Sequence, residues 1–327
     1  MSGVLVTGAT TPLGGGLVQA LIADPTIDCV VAVGRERTPA WLPIDDRIIY
    51  LRSDLARPRS LRELLFGPAC EHRIGAVIHT ASHRSPRHRG RSIHQLNVES
   101  VRELIRLIDR HPTIDQLIYR STGDVYRIDS NTPALIGEDD RLQLSPRAPQ
   151  WLRDRVEADL TVCAQMGLAS PRIAVLRLGE LMAPDSGSQL WDYLSSRVCL
   201  RPIGFDPMIN LLSLDDAIEA LLAALTRRAQ GVFNIPGADT LPLTEITRRW
   251  GKRDVPVPGP LLAPLYRLRA RTVGSEFRYE LNAGRFHFGR ILDGRRAADE
   301  LGYRPSHPIR WPDPDARALP RARYAGP

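Results

Sequence analysis

The hydrophobic pattern opens with a short apolar run, Val4 to Val6, a turn at Gly8, and then apolar positions at Leu17, Val18, Leu21 and Ile22. An unbroken apolar run of strand length followed by helical spacing predicts strand, turn and helix. The alternation then recurs. Cys29 to Val33, Arg47 to Leu51, Ile74 to His79, Gln116 to Tyr119 and Arg172 to Leu178 read as further strands, with Gly231 to Ile235 as a shorter one. Between them, Arg59 to Leu65 reads as a helix, as does Ile93 to Ile108 with Val98, Val101, Ile105 and Ile108 on one stripe. A further helix begins at Trp151, with Leu152, Val156, Leu160 and Cys163 as its apolar stripe. Apolar strands alternating with amphipathic helices predict an α/β, Rossmann-like, doubly wound parallel sheet covered on both faces.

Beyond about residue 180 the alternation weakens, which divides the chain into a first, sheet-forming domain at 1–180 and a smaller C-terminal lobe at 181–327. Residues 209–235 are expected to pack back on the first domain, through a helix starting near Asp215-Asp216 and the strand Gly231 to Ile235. Helix capping accounts for that acidic pair. Residues 127–150, rich in Asp, Pro, Arg and Ser, read as a surface excursion near the site. Residues 236–327 are Pro- and Arg-rich with short helical pieces. Within them Leu261 to Arg271 is apolar and then basic. It reads as a lobe helix packed on its neighbour, with peripheral membrane contact or a cover over an apolar ligand as the alternatives.

Composition changes this picture little. Of 327 residues, 43% are hydrophobic and 25% charged, as in ordinary globular proteins. The formal charge is +7, and every one of the 44 basic residues except Lys252 is arginine, scattered among 37 acids. Such scatter predicts a solvated basic surface and not a nucleic-acid footprint. Cys29, Cys70, Cys163 and Cys199 form no C-x-x-C pair and have no histidine cluster beside them, so reduced, buried thiols in a cytoplasmic setting and no metal site are expected. No signal peptide is expected ahead of the first strand, and no window reaches the 18 uninterrupted apolar residues of a membrane span.

Chemistry enters at V-T-G-A-T-T-P-L-G, residues 6–14. Gly8 allows a tight turn, Gly14 lets helix pack on strand, and the helix N-terminus offers N–H groups to a phosphate. Thr11 stands at the middle glycine position, where the backbone would approach a pyrophosphate most closely, while Pro12 suits a first helical turn. At the tip of the second strand, an acidic residue would hold the ribose 2′-hydroxyl of NAD. Gly34 occupies that tip and is followed by Arg35 and Arg37, which favours NADP over NAD.

Further motifs follow in order: Asp54-Leu55, V-I-H-x-A at 77–81, Asn97-Val98, S-T-x-x-V-Y at 121–126, L-R-L-G at 176–179, L-D-D-A at 214–217, F-N-I at 233–235 and E-L-G-Y-R-P at 300–305. With the glycine turn, they make the chain similar to the extended short-chain dehydrogenase/reductase family, the NAD(P)-dependent epimerases, dehydratases and related hydroxysteroid-type enzymes. The resemblance implies a two-lobe fold, a nicotinamide dinucleotide cofactor, a small-molecule ligand and a homodimer through the helices after strands four and five. It places Gly8, Thr11, Leu13 and Gly14 at the diphosphate turn, Arg35 beyond strand two, and Asp54 and Leu55 beside the adenine. His79, Ala81 and Asn97 would run along the cofactor, and Thr122 would take the catalytic Ser/Thr position.

In that family a Tyr and a Lys four residues later share one helix face and exchange the proton that accompanies hydride transfer. The resemblance puts Trp151 at the Tyr and Arg155 at the Lys. An indole N–H donates only and does not titrate near neutral pH, and Arg155 keeps its charge but has no phenol to tune. Lys252, in W-G-K-R, lies too far along the chain to substitute. Losing acid/base catalysis alone costs about 10²- to 10⁴-fold in rate. The expectation is therefore an atypical, weakly active or non-catalytic NAD(P)-binding protein with a sensing or partner role. One alternative is an active oxidoreductase or epimerase on a nucleotide sugar or a hydroxysteroid- or lipid-like substrate, relaying protons through Thr122 with Asp124, Tyr126 or His83. Another is a basic surface-binding module without cofactor.

Overall fold

Seven strands lie side by side, and every pairing between them is parallel. The computed structural model describes residues 3–37, 39, 42–289 and 291–312. The large sheet comprises β1 (Gly3–Thr7), β2 (Val30–Gly34), β3 (Ile48–Arg52), β4 (Ile74–His79), β5 (Gln116–Thr122), β6 (Arg172–Leu178) and β10 (Gly231–Ile235). Their order is β10-β6-β5-β4-β1-β2-β3. The order reverses beside β1, whose two neighbours are β2 and β4, so a crevice opens beyond the carboxyl ends of β1 and β4.

Both faces of the sheet are covered because the strands are apolar on both faces; β1, β2 and β4 are buried throughout. On one face lie α1 (Pro12–Ala23) and α5 (Leu214–Thr226), where Leu17, Val18 and Leu21 share a core with Ala217, Ala220, Leu221 and Ala224. A Cβ on Gly16 would stand 2.6 Å from Ile218 Cδ1, so the missing side chain sets how closely these helices approach. On the other face lie α2 (Pro58–Phe66), α3 (Ser100–Ile108) and α4 (Gln150–Cys163), contributing Leu61, Leu65, Val101, Ile105, Ala158 and Val162.

Two helices differ from the pattern-based expectation. Ile93 to Ile108 is not one regular helix: Arg91–His94 is α-helical, Gln95–Glu99 forms a wider π turn, and α3 follows. Within that turn, Asn97 Oδ1 accepts from the His83 N–H at 2.7 Å and so fixes the loop after β4. In α4, Leu160 is 40% exposed and not part of the buried stripe. The helix instead turns Asp159, fully buried, toward the sheet. Asp159 accepts from Arg177 Nη2 at 2.7 Å and Nε at 3.1 Å, and from the Ser121 hydroxyl. Arg177 Nη1 continues the chain to Tyr126 Oη and to Glu138 O, both at 2.9 Å, and Tyr126 donates to Asn234 Oδ1 at 2.7 Å.

That network also corrects the reading of residues 127–150. Ile136 is buried, Leu135–Ile136 pairs with Ile291–Leu292, and Asn234 Nδ2 donates to Ile136 O, so part of the excursion is built into the interior. The second lobe has a three-stranded sheet of β7 (Glu180–Leu181), β9 (Met208–Leu212) and β11 (Asp239–Pro242), and a pair of β8 (Val198–Pro202) with β12 (Arg253–Val257). Two helices cover it, α6 (Gly259–Thr272) and α7 (Tyr279–Phe288), around a core of Tyr193, Tyr266, Phe277 and Phe286. Of residues 209–235, β9 belongs to the lobe's sheet, whereas α5 and β10 are layers of the large one. The last stretch of the lobe, 313–327, lies outside the described residues.

The acidic pair at the start of α5 does more than cap. Ser213 is the cap, its hydroxyl accepting from the Asp216 N–H at 3.1 Å. Asp216 Oδ1 accepts from the Ser306 and His307 N–H groups and lies beside His307 Nδ1, each at 3.0 Å, anchoring the C-terminal segment. Asp216, Glu219 and His307 bring ligand-type atoms within 4.8 Å of one another, but the hydrogen bonds from the segment already occupy Asp216 Oδ1. Among the described residues, no helix is long and apolar enough to cross a membrane.

Two stability outcomes follow from these interiors. Asp159→Ala strands the buried Arg177 guanidinium and is expected to cost about 3–5 kcal/mol, read as a lowered thermal unfolding midpoint. His79 is buried, with Nδ1 3.0 Å from Thr7 Oγ1, and burial pushes its pKa from 6.5 down to about 4. As pH falls below 6.5 the unfolded chain takes up a proton that the folded chain refuses. Stability should drop by about 3 kcal/mol between pH 6.5 and 4, and His79→Phe should flatten that part of the profile.

Candidate active site

Gly8 begins the crevice with φ +73°, a conformation that favours glycine. A Cβ there would lie 2.8 Å from Thr80 Oγ1, and one on Gly14 would lie 2.1 Å from Gly8 O. The two glycines thus let β1, the turn and α1 close on one another. Thr11 is the N-cap of α1, and its hydroxyl accepts from the Gly14 N–H at 3.0 Å. Gly15 N–H is bound to Thr11 O, and Pro12 has no N–H to offer. Leu13 N–H is therefore the first-turn donor left unpaired among the described residues. Thr11 does not block the turn; it uses one of the donors that a glycine would have left to a phosphate.

From this turn a cleft of about 320 Å³ runs along the sheet edge, lined by Gly8, Thr11, Gly34, Arg35, Glu36 and Leu55, with Ala81, His83 and Arg84 opposite. The size suits a small-molecule site. The expected residues sort clearly. Gly8, Thr11, Arg35, Leu55 and Ala81 line the cleft, and Leu13 lines its narrow continuation with Thr80 and Arg120. His79 does not: it is the buried last residue of β4, stacked on Tyr119. Asp54 pairs with Arg57 at 3.2 Å and accepts from the Ala56 N–H, so it holds the turn before α2. Asn97 is spent on His83 N–H.

Glu36 was not singled out from the sequence, because the acid was sought at the strand tip and stands two residues beyond it. Burial raises its pKa, but the Thr10 hydroxyl and the backbone N–H groups of Glu36 and Arg35 outweigh this and leave it below the ordinary range. An ionised carboxylate therefore shares the cleft with Arg35.

The second cavity lies beyond the carboxyl ends of β5 and β6, lined by Arg120, Thr122, Asp124, Arg155, Glu180 and Arg285 among others. Thr122 Oγ1 donates to Asp124 Oδ2 at 3.1 Å and accepts from the Asp124 N–H at 3.3 Å. Arg155 Nη1 donates to Asp124 Oδ2 at 3.1 Å, and Arg285 bridges Asp124 and Glu180. Burial alone would raise Asp124, yet Arg285 and Arg155 overcome it and hold the carboxyl below its ordinary range. Asp124 is thus a fixed charge and not a proton source near neutral pH.

At the aligned dyad positions, the Trp151 indole N–H donates to Arg84 O at 2.9 Å, and the Arg155 guanidinium lies 3.6 Å from the indole ring centroid. That distance is a cation–π contact. Burial lowers the pKa of Arg155, partly offset by Asp124, and its Nη2 is buried without a partner among the described residues. Gly187 faces it with φ +78°, and a Cβ there would stand 3.0 Å from Arg155 Nη2. Arg120 donates to Ser186 O at 3.2 Å while its Nε is unpartnered among the described residues, and burial takes its pKa down to about 10.

The other candidate proton carriers are placed elsewhere. Burial takes Tyr126 up to about 12, and its hydroxyl is engaged by Arg177 and Asn234. His83 lines the cleft at Gly8 and Arg35, its Nε2 3.0 Å from His88 Nδ1, and burial lowers its pKa. Arg84, Arg120, Arg285 and Glu180 carried no local motif that would have marked them; three-dimensional convergence alone brings them to the site. Two straps close the cleft between the lobes. Arg84 donates to Asp185 O, and Ser85 Oγ donates to Glu276 at 2.5 Å.

The comparisons with known proteins fit this geometry. An uncharacterised protein of Mycobacterium tuberculosis is 31% identical over 312 residues, covering 92% of this chain and 80% of the relative. The structure of UDP-glucuronic acid 4-epimerase from Bacillus cereus in complex with NAD is similar with a TM-score of 0.66 at 18% identity, covering 93% of this chain and 94% of that one. A dTDP-glucose 4,6-dehydratase double mutant from Streptomyces venezuelae, with NAD bound, has a TM-score of 0.69 at 19% identity, covering 93% and 92%. Residues 4–235 match the NAD dependent epimerase/dehydratase family, to which this chain belongs.

Proposed function

We propose that the protein binds a nicotinamide dinucleotide in the cleft at Gly8 and Glu36 and holds a small-molecule ligand beside Thr122, with little or no turnover of the epimerase or dehydratase type. The observation that carries this reading is the engagement of Trp151 and Arg155. The indole N–H is committed to Arg84 O and the guanidinium to Asp124, so neither can give or take a proton in this arrangement.

The residues present fit a dinucleotide. Leu13 N–H and the Gly8–Gly14 cradle suit a diphosphate, and Leu55 and Ala81 offer an apolar wall to an adenine. Arg155 Nη2 has a free donor for a ribose hydroxyl. Such a cofactor accepts or returns hydride when bound. Arg155, Asp124 and Arg285 would orient a ligand and fix the charge around it. They supply no titrating group near neutral pH.

Arg35 pulls toward a 2′-phosphate and Glu36 against it. A carboxylate held ionised repels a phosphate and accepts from a 2′-hydroxyl, so NAD is the tighter partner in this reading, in place of the NADP preference expected from Arg35 alone.

Thermal-shift or fluorescence titration should show binding of both NADH and NADPH, with NADH tighter, and Glu36→Gln should narrow or reverse the difference. No stabilisation by either dinucleotide would overturn the cofactor reading. Turnover of UDP-glucuronic acid or dTDP-glucose by the unmodified protein should be negligible. The double change Trp151→Tyr with Arg155→Lys should raise any residual rate by about 10²-fold or more if acid/base chemistry is what the site lacks. Vigorous turnover before that change would refute the non-catalytic reading.

A further inference from the structure

Helix α6 buries one face and leaves an apolar one uncovered. Leu262 and Tyr266 are inside the lobe, while Leu261 and Leu268 are 52% and 59% exposed, with Leu265 exposed between them. Positions 261, 265 and 268 fall on one stripe of a helix. Val273, just beyond the C-terminal end of α6, is 71% exposed. At the other end, the exposed side chains of Ile203 and Phe205 extend the apolar patch. Ile203 N–H is bonded to Val257 O, just ahead of α6, and the Phe205 ring lies 4.4 Å from that of His287, which faces Gly259.

The charge around this stripe has one dominant sign. No Asp or Glu occurs within α6, and Arg267, Arg269 and Arg271 flank its exposed face. Arg269 donates to Val198 O and Arg267 pairs with Glu280 at 2.7 Å, so part of that charge is used within the lobe. More is supplied by the loop after β4. Arg87 Nη1 donates to Gly274 O at 3.2 Å, beside Val273, and pairs with Glu276 at 3.4 Å, while Arg87 and Arg89 both act on Arg278. Glu276 and Glu280 are the acids facing this group. An exposed leucine stripe in an amphipathic helix, with arginines at its flanks and a basic loop at its end, is the pattern of a helix lying in the plane of an anionic membrane surface.

We propose that α6 and the Arg87–Arg89 loop dock the protein on an anionic lipid bilayer, the leucines entering the headgroup boundary and the arginines meeting the lipid phosphates. Charge complementarity favours this occupant over a second copy of the chain, which would set two basic surfaces against each other. The proposal does not depend on whether a dinucleotide binds. It does place the Ser85–Glu276 strap, and with it the mouth of the cofactor cleft, next to the docked face.

Sedimentation with vesicles of phosphatidylcholine alone, and of phosphatidylcholine with phosphatidylglycerol, tests the proposal on the full chain. Each basic residue near an anionic surface is worth about five-fold in partitioning, so enrichment on the anionic vesicles of at least about ten-fold is expected. Raising the salt from ~0.1 M to ~0.5 M should weaken it several-fold. The triple change Leu261→Ser, Leu265→Ser, Leu268→Ser should abolish it, and Arg271→Ala with Arg89→Ala should reduce it about ten-fold or more. These leucines are exposed, so an unchanged thermal midpoint will show that the variant is folded. Equal partitioning on neutral and anionic vesicles, or none on either, overturns the proposal. A dimer in sedimentation velocity that the leucine variant converts to monomer also overturns it, by assigning the face to a second copy.

Discussion

The Arg177–Asp159 ion pair is the constraint on which the architecture turns. It is almost fully removed from water, with side-chain exposures of 4% and 0%. Desolvating two charges is costly, and the pair is supported by further hydrogen bonds: Ser121, Tyr126, Glu138 O and then Asn234 extend the chain. Through it, α4 is held to β5 and β6, and the excursion at 127–150 is held to β10. The helix that carries Trp151 and Arg155 is thereby rotated to one angle relative to the sheet. An apolar contact would tolerate sliding, whereas hydrogen-bonded charges do not.

That fixed angle determines what the second cavity can do. Around Thr122 stand three guanidinium groups, from Arg120, Arg155 and Arg285, and two carboxylates, from Asp124 and Glu180. Among them Arg285 and Arg155 hold Asp124 ionised, a fixed charge at the centre of the set. A fixed charge of this kind suits holding the charge of a ligand more than moving a proton.

Much of the sheet was legible in the sequence because its strands are apolar on both faces, and Val4 to Val6 and Ile74 to His79 read that way without help from distant residues. Trp151 and Arg155 were legible as a pair on one helix face, since spacing four apart survives in the linear chain, and the structure does stack them. The π turn at Gln95–Glu99 was not, because it exists to bring Asn97 to a loop fourteen residues away, and periodicity carries no trace of that bond. Leu160 misled for a related reason: a buried charge at Asp159 outweighed an apolar side chain in setting which face turned inward. Glu36, Arg84, Arg120 and Arg285 stayed hidden because their partners are distant in sequence, Arg285 reaching Asp124 across 161 positions.

The stacking of Arg155 on Trp151 makes the two side chains depend on one another. A lone Trp151→Tyr change would withdraw the indole N–H from Arg84 O and the aromatic bed from the guanidinium, without supplying the amine that tunes a phenol. A lone Arg155→Lys change would vacate the stack and loosen Asp124, without supplying the phenol. Each single change therefore gives up contacts on which the other side chain relies. The two positions are coupled, and the cost of changing both is not the sum of the costs of changing each.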